Sequence, residues 1–112
     1  MYVDDCVEGL VRLMASNYSE PLNLGTDRLV TINQLIDLVS SVAGKRLKKR
    51  HDLSKPQGVR GRNSDNTLLN RVLGWEPAIT LEQGLTTTYR WIEEELRKAG
   101  RIQTIAAGQA AT

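Results

Sequence analysis

The sequence predicts an α+β fold of about four helices with short strands. Apolar residues recur at helical spacing in four segments, which is the pattern of amphipathic helices with one buried side. Two capping boxes, Thr31–Gln34 and Thr80–Gln83, mark the starts of two of these helices. A short segment, Leu22-Asn23-Leu24, is bounded by Pro21 and Gly25, and such a segment is typical of a strand.

The first helix is predicted to follow residues 2–3, which have the composition of the end of a strand. Asp4 or Asp5 is the expected N-cap, because a carboxylate can accept a hydrogen bond from a free amide of the first turn. The only cysteine, Cys6, has no nearby base and is interpreted as a small apolar side chain rather than a nucleophile. The predicted buried side consists of Cys6, Val7, Leu10, Leu13 and Met14.

The second helix opens at Thr31 and has the clearest helical pattern. Gly44 is expected to end it in a left-handed conformation. A strongly basic segment, 45–51, follows. Such a segment either attracts anions or forms a solvated edge strand whose charges prevent further pairing, and we favour the second. The predicted buried side of the helix consists of Ile32, Leu35, Ile36, Val39 and Val42.

The third helix is predicted to begin at Ser64 or Asp65, either of which is a suitable N-cap. The fourth helix begins at Thr80 and contains Gly84. Glycine inside a helix costs about 1 kcal/mol relative to alanine, so its presence indicates close packing. The predicted buried side of this helix consists of Leu81, Leu85, Thr88, Ile92 and Leu96.

A glycine-containing loop, 58–66, brings Arg60 and Arg62 to the start of the third helix. Backbone amides and the helix dipole favour anions at such a position, and a planar guanidinium suits phosphate oxygens better than an ammonium. The loop is therefore a candidate phosphate or pyrophosphate clamp. The alternative is a surface loop whose arginines pair with carboxylates or contact water.

The composition is ordinary for one globular domain, with 112 residues, 40% of them hydrophobic, and a net charge of +2. Bulk charge and the lack of aromatics among the basic residues argue against nucleic acid as a partner. One cysteine and one histidine cannot build an ordinary zinc site. With no membrane span and no signal-peptide pattern, we expect a cytoplasmic protein. Residues 1–100 are expected to form one lobe and 101–112 a disordered tail.

Several motifs occur in an order that resembles a known family. Together they resemble the C-terminal lobe of extended short-chain dehydrogenase/reductases, the nucleotide-sugar epimerases and dehydratases. The run Val-Arg-Gly-Arg-Asn-Ser-Asp-Asn, with Tyr-x-Trp-Ile later, is most similar to the GDP-mannose 3,5-epimerase family. The motifs occupy 2–5, 21–25, 58–66, 73–77, 81–85 and 88–92.

The resemblance implies a parent enzyme that uses tightly bound NAD to oxidise a sugar carbon transiently. It also implies that Arg62, directly before Asn-Ser-Asp, contacts the phosphates of a GDP-mannose-like nucleotide sugar, and that Arg60 shares this charge. Asp65 falls where related epimerases hold the ribose or base. Helix capping is an equally good explanation for Asp65.

The sequence departs from the family in two motifs that catalysis needs. It has no strand followed by a glycine-rich dinucleotide turn, and no Tyr-x-x-x-Lys, because Cys6, Leu22 and Glu93 stand four residues after the three tyrosines. We therefore expect a substrate-binding lobe with no catalytic residue, cofactor site or metal site of its own, whose NAD-binding domain is missing from the N-terminal side. The alternative is a homo-oligomeric interaction module, since a lobe without that domain leaves apolar faces uncovered.

Overall fold

Four helices joined by irregular segments make up the computed structural model, which describes residues 1–102. Helices α2 and α4 pack against each other, and Gly9 of α1 lies against Leu24 and Trp75 of the connecting segments. Most of the predicted tail, 103–112, lies outside the described residues. The helices span Val3–Met14 (α1), Ile32–Ala43 (α2), Thr67–Leu73 (α3) and Leu81–Lys98 (α4).

Both predicted capping boxes are present. The Thr31 hydroxyl accepts from the Gln34 amide at 3.1 Å, and the Gln34 side chain accepts from the Thr31 amide at 2.8 Å. Thr80 and Gln83 make the same exchange at 3.2 and 2.9 Å. Each box satisfies amides that a helix start leaves without an intrahelical partner, so α2 and α4 begin where the sequence predicted.

Two predicted helix starts need correction. Helix α1 begins at Val3 with Tyr2 at the N-cap, so residues 2–3 are not the end of a strand, and Asp4 and Asp5 lie in the first turn. Helix α3 has Asn66, rather than Ser64 or Asp65, at its N-cap position. Asp65 still performs the predicted capping chemistry from one residue earlier, because it accepts a hydrogen bond from the Thr67 amide at 3.0 Å.

The predicted short strands do not form among residues 1–102. A strand needs a neighbouring backbone with which to exchange hydrogen bonds, and no described segment pairs with 22–24 as a ladder. The side chain of Leu24 instead packs against Gly9 of α1. The basic segment 45–51 is exposed and irregular rather than an edge strand, and Lys49 pairs with Asp37 of α2 at 2.6 Å.

Helix α1 packs through a side other than its apolar stripe. Its buried positions are Asp5 and Gly9, and a Cβ on Gly9 would lie 2.9 Å from the Trp75 ring. The predicted apolar stripe follows the helical spacing, but the prediction that it is buried is wrong. Val7, Leu10 and Met14 are each at least half exposed. Val3 and Val11 extend this exposed apolar face.

The hydrophobic core is small. Leu69 of α3, 1% exposed, is the one fully buried apolar side chain among the described residues. The radius of gyration is 18.5 Å, whereas a compact domain of 100 residues has about 13 Å. The expectation that Gly84 marks close packing is confirmed, because a Cβ there would lie 3.0 Å from the Tyr2 ring. No helix within residues 1–102 is long and apolar enough to span a membrane.

Candidate functional site

A cleft of about 760 Å³ lies between the start of α4 and the loops that precede α2 and α3. The arginine loop contributes one wall through 59–62, and the segment 26–32 contributes a second. Residues 76–81, together with Gly84 and Leu85 of α4, form a third. Both arginines that the sequence singled out therefore face the same space.

The arginine loop is held by the segment before α2, which we call the platform (25–29). The amide of Ser64 donates to the carbonyl of Thr26 at 2.8 Å, and the side chain of Asn63 donates to the carbonyl of Asp27 at 2.8 Å. Asn66 donates to the carbonyl of Gly25 at 3.1 Å. These bonds join segments 36 to 41 residues apart, so the wall with the arginines has a fixed support.

The platform and the loop also touch through apolar atoms. A Cβ on Gly61 would lie 3.2 Å from the side chain of Leu29, which leaves little room for a larger residue between Arg60 and Arg62. A side chain at position 61 would therefore require the methyl groups of Leu29 to shift by a few tenths of an ångström. The sequence shows that the loop contains Gly61, but it does not predict that Leu29 packs against this residue.

Three arginines line the cleft, and they differ in how their charge is balanced. Arg28 forms a bidentate ion pair with Glu82 of α4, with both N–O distances 2.8 Å. Arg60 and Arg62 make no ion pair and no side-chain hydrogen bond within residues 1–102. The cleft also contains the acidic residues Asp27 and Glu76. Its two unpaired guanidiniums are the groups available to an anion.

Hydrogen bonding within the pair shifts the pKa of both partners. The bond to Glu82 raises the pKa of Arg28, and the bond from Arg28 holds the pKa of Glu82 below its ordinary 4.5. Both groups are therefore charged at neutral pH. Arg28 was absent from the sequence-based candidates, because a partner 54 residues away leaves no local signal.

Asp65 does not line the cleft. Its Oδ1 accepts from the Thr67 hydroxyl at 2.7 Å as well as from the Thr67 amide, and these bonds lower the pKa of the carboxyl. The described contacts thus support the capping explanation. The ribose or base contact implied by the resemblance stays a prediction.

Asn66 lines the cleft, although the sequence analysis did not identify it as a candidate site residue. Its Nδ2 anchors the loop, while its Oδ1 is shielded from solvent and has no hydrogen-bond partner among the described residues. An asparagine directly before an apolar helix is typical of an N-cap, so the sequence alone does not predict that Asn66 also lines a cleft.

The basic segment 45–51 is not part of the cleft. His51 contacts Asn33 of α2 at 3.1 Å, and Lys49 is neutralised by Asp37. This segment therefore adds no positive charge to the lining of the cleft.

The described residues do not fit the pyrophosphate of NAD. Such a site needs a glycine-rich turn that opens a helix, so that backbone amides can approach the phosphates. The N-caps of the four helices are instead Tyr2, Thr31, Asn66 and Thr80. Within 1–102, no three metal-binding side chains converge.

No protein-family model matches the chain. Individual proteins do match it. A GDP-mannose 3,5-epimerase of Arabidopsis thaliana is 45% identical over 97 residues, which cover 87% of this chain and 26% of the relative. GDP-mannose 3,5-epimerase 1 of Oryza sativa subsp. japonica is 44% identical over the same share of this chain. The chain is homologous to part of the GDP-mannose 3,5-epimerases.

Enzymes of other names share the same region at lower identity. UDP-glucuronic acid decarboxylase 1 of Danio rerio is 36% identical over 110 residues, 98% of this chain and 26% of the relative. The resemblance to nucleotide-sugar enzymes is therefore confirmed, with the GDP-mannose 3,5-epimerases at higher identity. The chain spans about a quarter of the length of these curated relatives, 26% for the Arabidopsis epimerase.

Proposed function

We propose that this chain is the substrate-binding part of an NAD-dependent nucleotide-sugar epimerase or dehydratase, and that it binds the diphosphate of a GDP-mannose-like nucleotide sugar. One observation carries the proposal: Arg60 and Arg62 line one cleft and have no carboxylate partner in the described chain. The names of the relatives, which refer to GDP-mannose and UDP-glucuronic acid, supply the substrate class.

The chemistry of the arginine loop fits a diphosphate. Arg60 and Arg62 are exposed in the loop, and guanidinium forks bind phosphate oxygens with paired, charge-assisted hydrogen bonds. The platform holds the loop directly after Arg62, through Asn63 and Ser64, so less backbone ordering is needed there when an anion binds. Arg62 is proposed as the principal phosphate ligand and Arg60 as its helper.

Catalysis is proposed to need residues outside this chain. The cleft contains no lysine, histidine or cysteine, and the sequence has no Tyr-x-x-x-Lys pair that could move a proton during oxidation of a sugar carbon. A guanidinium has five N–H donors and no acceptor, so the arginines serve as anchors rather than bases. The role of this chain is therefore binding.

Calorimetric titration with GDP-mannose, GDP and UDP-glucose tests the proposal. Binding to the guanine nucleotides is expected, and Arg62→Ala should cost about 1.5–3 kcal/mol because a charge-assisted hydrogen bond is lost. Arg46→Ala is the matched control, since Arg46 is equally charged but lies outside the cleft. Equal losses in both variants, or no binding by the wild type, would contradict the proposal.

A second candidate function is a homo-oligomeric interaction module. It is favoured by the exposed apolar face of α1, where Val3, Val11 and Met14 are 60%, 55% and 85% exposed. Contiguous apolar surface of this kind marks association sites. Light scattering tests it: a concentration-dependent dimer that Val7→Glu abolishes supports the module, and a monomer at every concentration counts against it.

A further inference from the structure

The ion pair between Arg28 and Glu82 connects the platform to α4. Arg28 belongs to the platform and lines the cleft, whereas Glu82 lies in the first turn of α4 and does not line it. Both nitrogen–oxygen distances are 2.8 Å. A bidentate pair of this geometry fixes orientation as well as distance.

The platform in turn supports the arginine loop. Ser64, Asn63 and Asn66 donate to three successive platform carbonyls, and Leu29 packs against Gly61. A displacement of the platform from α4 would therefore carry Arg60 and Arg62 with it. The contact between Arg28 and Glu82 is one of the points at which the platform meets α4.

We propose that Arg28 and Glu82 are positioning residues that set the distance between the arginine loop and α4, and thereby the affinity of the cleft for a nucleoside diphosphate. This inference rests on the proposed function, because it concerns the same cleft. Arg28 acts through Arg60 and Arg62, and its own guanidinium is occupied by the carboxylate of Glu82.

For the variant Glu82→Arg, a simple charge effect and a loss of positioning predict opposite changes in the affinity for an anion. Glu82→Arg makes the region more positive, so a simple electrostatic effect would strengthen anion binding. Loss of positioning would weaken it, because two cations would then repel each other where the ion pair now joins the platform to α4. Arg28→Glu weakens binding on either view, so Glu82→Arg is the decisive single substitution.

The test is calorimetric titration of the full chain with GDP. Arg28→Glu and Glu82→Arg are each expected to weaken binding about two- to fivefold, within the range measured for exposed ion pairs. The double variant, which restores an ion pair with reversed charges, is expected to recover wild-type affinity. Arg97→Glu, which reverses an arginine at the far end of α4, is the control and should have little effect.

Two results would overturn the proposal. Stronger binding by Glu82→Arg would show that only charge matters, and failure of the double variant to recover would make Arg28 itself a phosphate ligand.

Amide hydrogen exchange gives a readout that needs no ligand. Exchange of the Ser64 amide should accelerate in each single variant and return to the wild-type rate in the double variant. The Lys45 amide, which donates to the carbonyl of Ser40, is the control, and its exchange rate should stay unchanged.

The two readouts separate this inference from the proposed function. If the wild type binds none of the nucleotides, the proposed function fails, and the exchange of the Ser64 amide still decides whether the pair holds the loop. If the wild type binds GDP and neither single variant changes affinity or exchange, the positioning role fails alone.

Discussion

The carboxylate of Asp5 accepts a hydrogen bond from the backbone amide of Ile79 at 2.8 Å. The bond joins the first turn of α1 to the segment before α4, and Asp5 is 7% exposed. Asp5→Ala is expected to lower the free energy of unfolding by about 1–3 kcal/mol, because it leaves the Ile79 amide without a partner. Asp5→Asn, which keeps an acceptor, should cost less. Urea denaturation followed by tryptophan fluorescence measures both, and equal costs would contradict the hydrogen-bond explanation.

Gly9 is expected to tolerate no side chain. A Cβ there would lie 2.7 Å from one methyl group of Leu24 and 2.9 Å from the Trp75 ring. Gly9→Ala should therefore lower stability by about 1–3 kcal/mol through overpacking, despite the higher helix propensity of alanine. Gly58→Ala is the control, since it would meet open space. A Gly9→Ala variant as stable as Gly58→Ala would show that α1 can move away from Trp75.

The capping box at Thr80 should contribute measurably to stability because α4 begins beside the cleft. Thr80→Ala removes the oxygen that accepts from the Gln83 amide and is expected to cost about 1 kcal/mol. Thr80→Ser retains the hydroxyl and should cost much less. Thermal unfolding monitored by circular dichroism compares the two, and identical melting temperatures would mean that solvent replaces the cap.

Acid should weaken the start of α3 through Asp65. Hydrogen bonds from the hydroxyl and then the amide of Thr67 hold the pKa of Asp65 below its ordinary 3.8. A folded-state pKa below the unfolded one contributes stability above pH 3.8 that is lost as the pH falls through the folded value. Asp65→Asn should therefore flatten the acid side of the stability curve, with the Thr67 amide resonance as a local probe. An unchanged curve would contradict the assignment.

The sequence predicted those parts of the fold that depend on short-range chemistry. Capping boxes at Thr31 and Thr80 and the left-handed stop at Gly44 are fixed by neighbours within a few residues, and the structure contains all three. The exposed pair of Glu94 with Lys98 follows the same logic of helical spacing.

The errors concern partners that are distant in the chain. The short segment at 22–24, bounded by Pro21 and Gly25, predicted a strand, but a strand exists only where another backbone pairs with it. The stripe on α1 predicted a buried side, whereas the helix uses Asp5 and Gly9 to contact the rest of the chain. Periodicity identifies the apolar side of a helix but not whether anything covers it.

The candidate site shows the same division. Arg60 and Arg62 were identified from the loop, and the structure brings both to one cleft. The platform, the Arg28–Glu82 pair and the wall role of Asn66 depend on contacts across 36 to 54 residues, for which a single sequence has no pattern.

The small core has a consequence for how this chain unfolds. Since Leu69 alone is fully buried among the apolar side chains of 1–102, unfolding exposes less additional surface than it does in a compact domain of similar length. The denaturant m-value and the heat-capacity change both scale with that surface. The chain alone should therefore melt over a wide temperature range, and a partner that covered the apolar face of α1 would convert this gradual loss of structure into a sharp, cooperative transition.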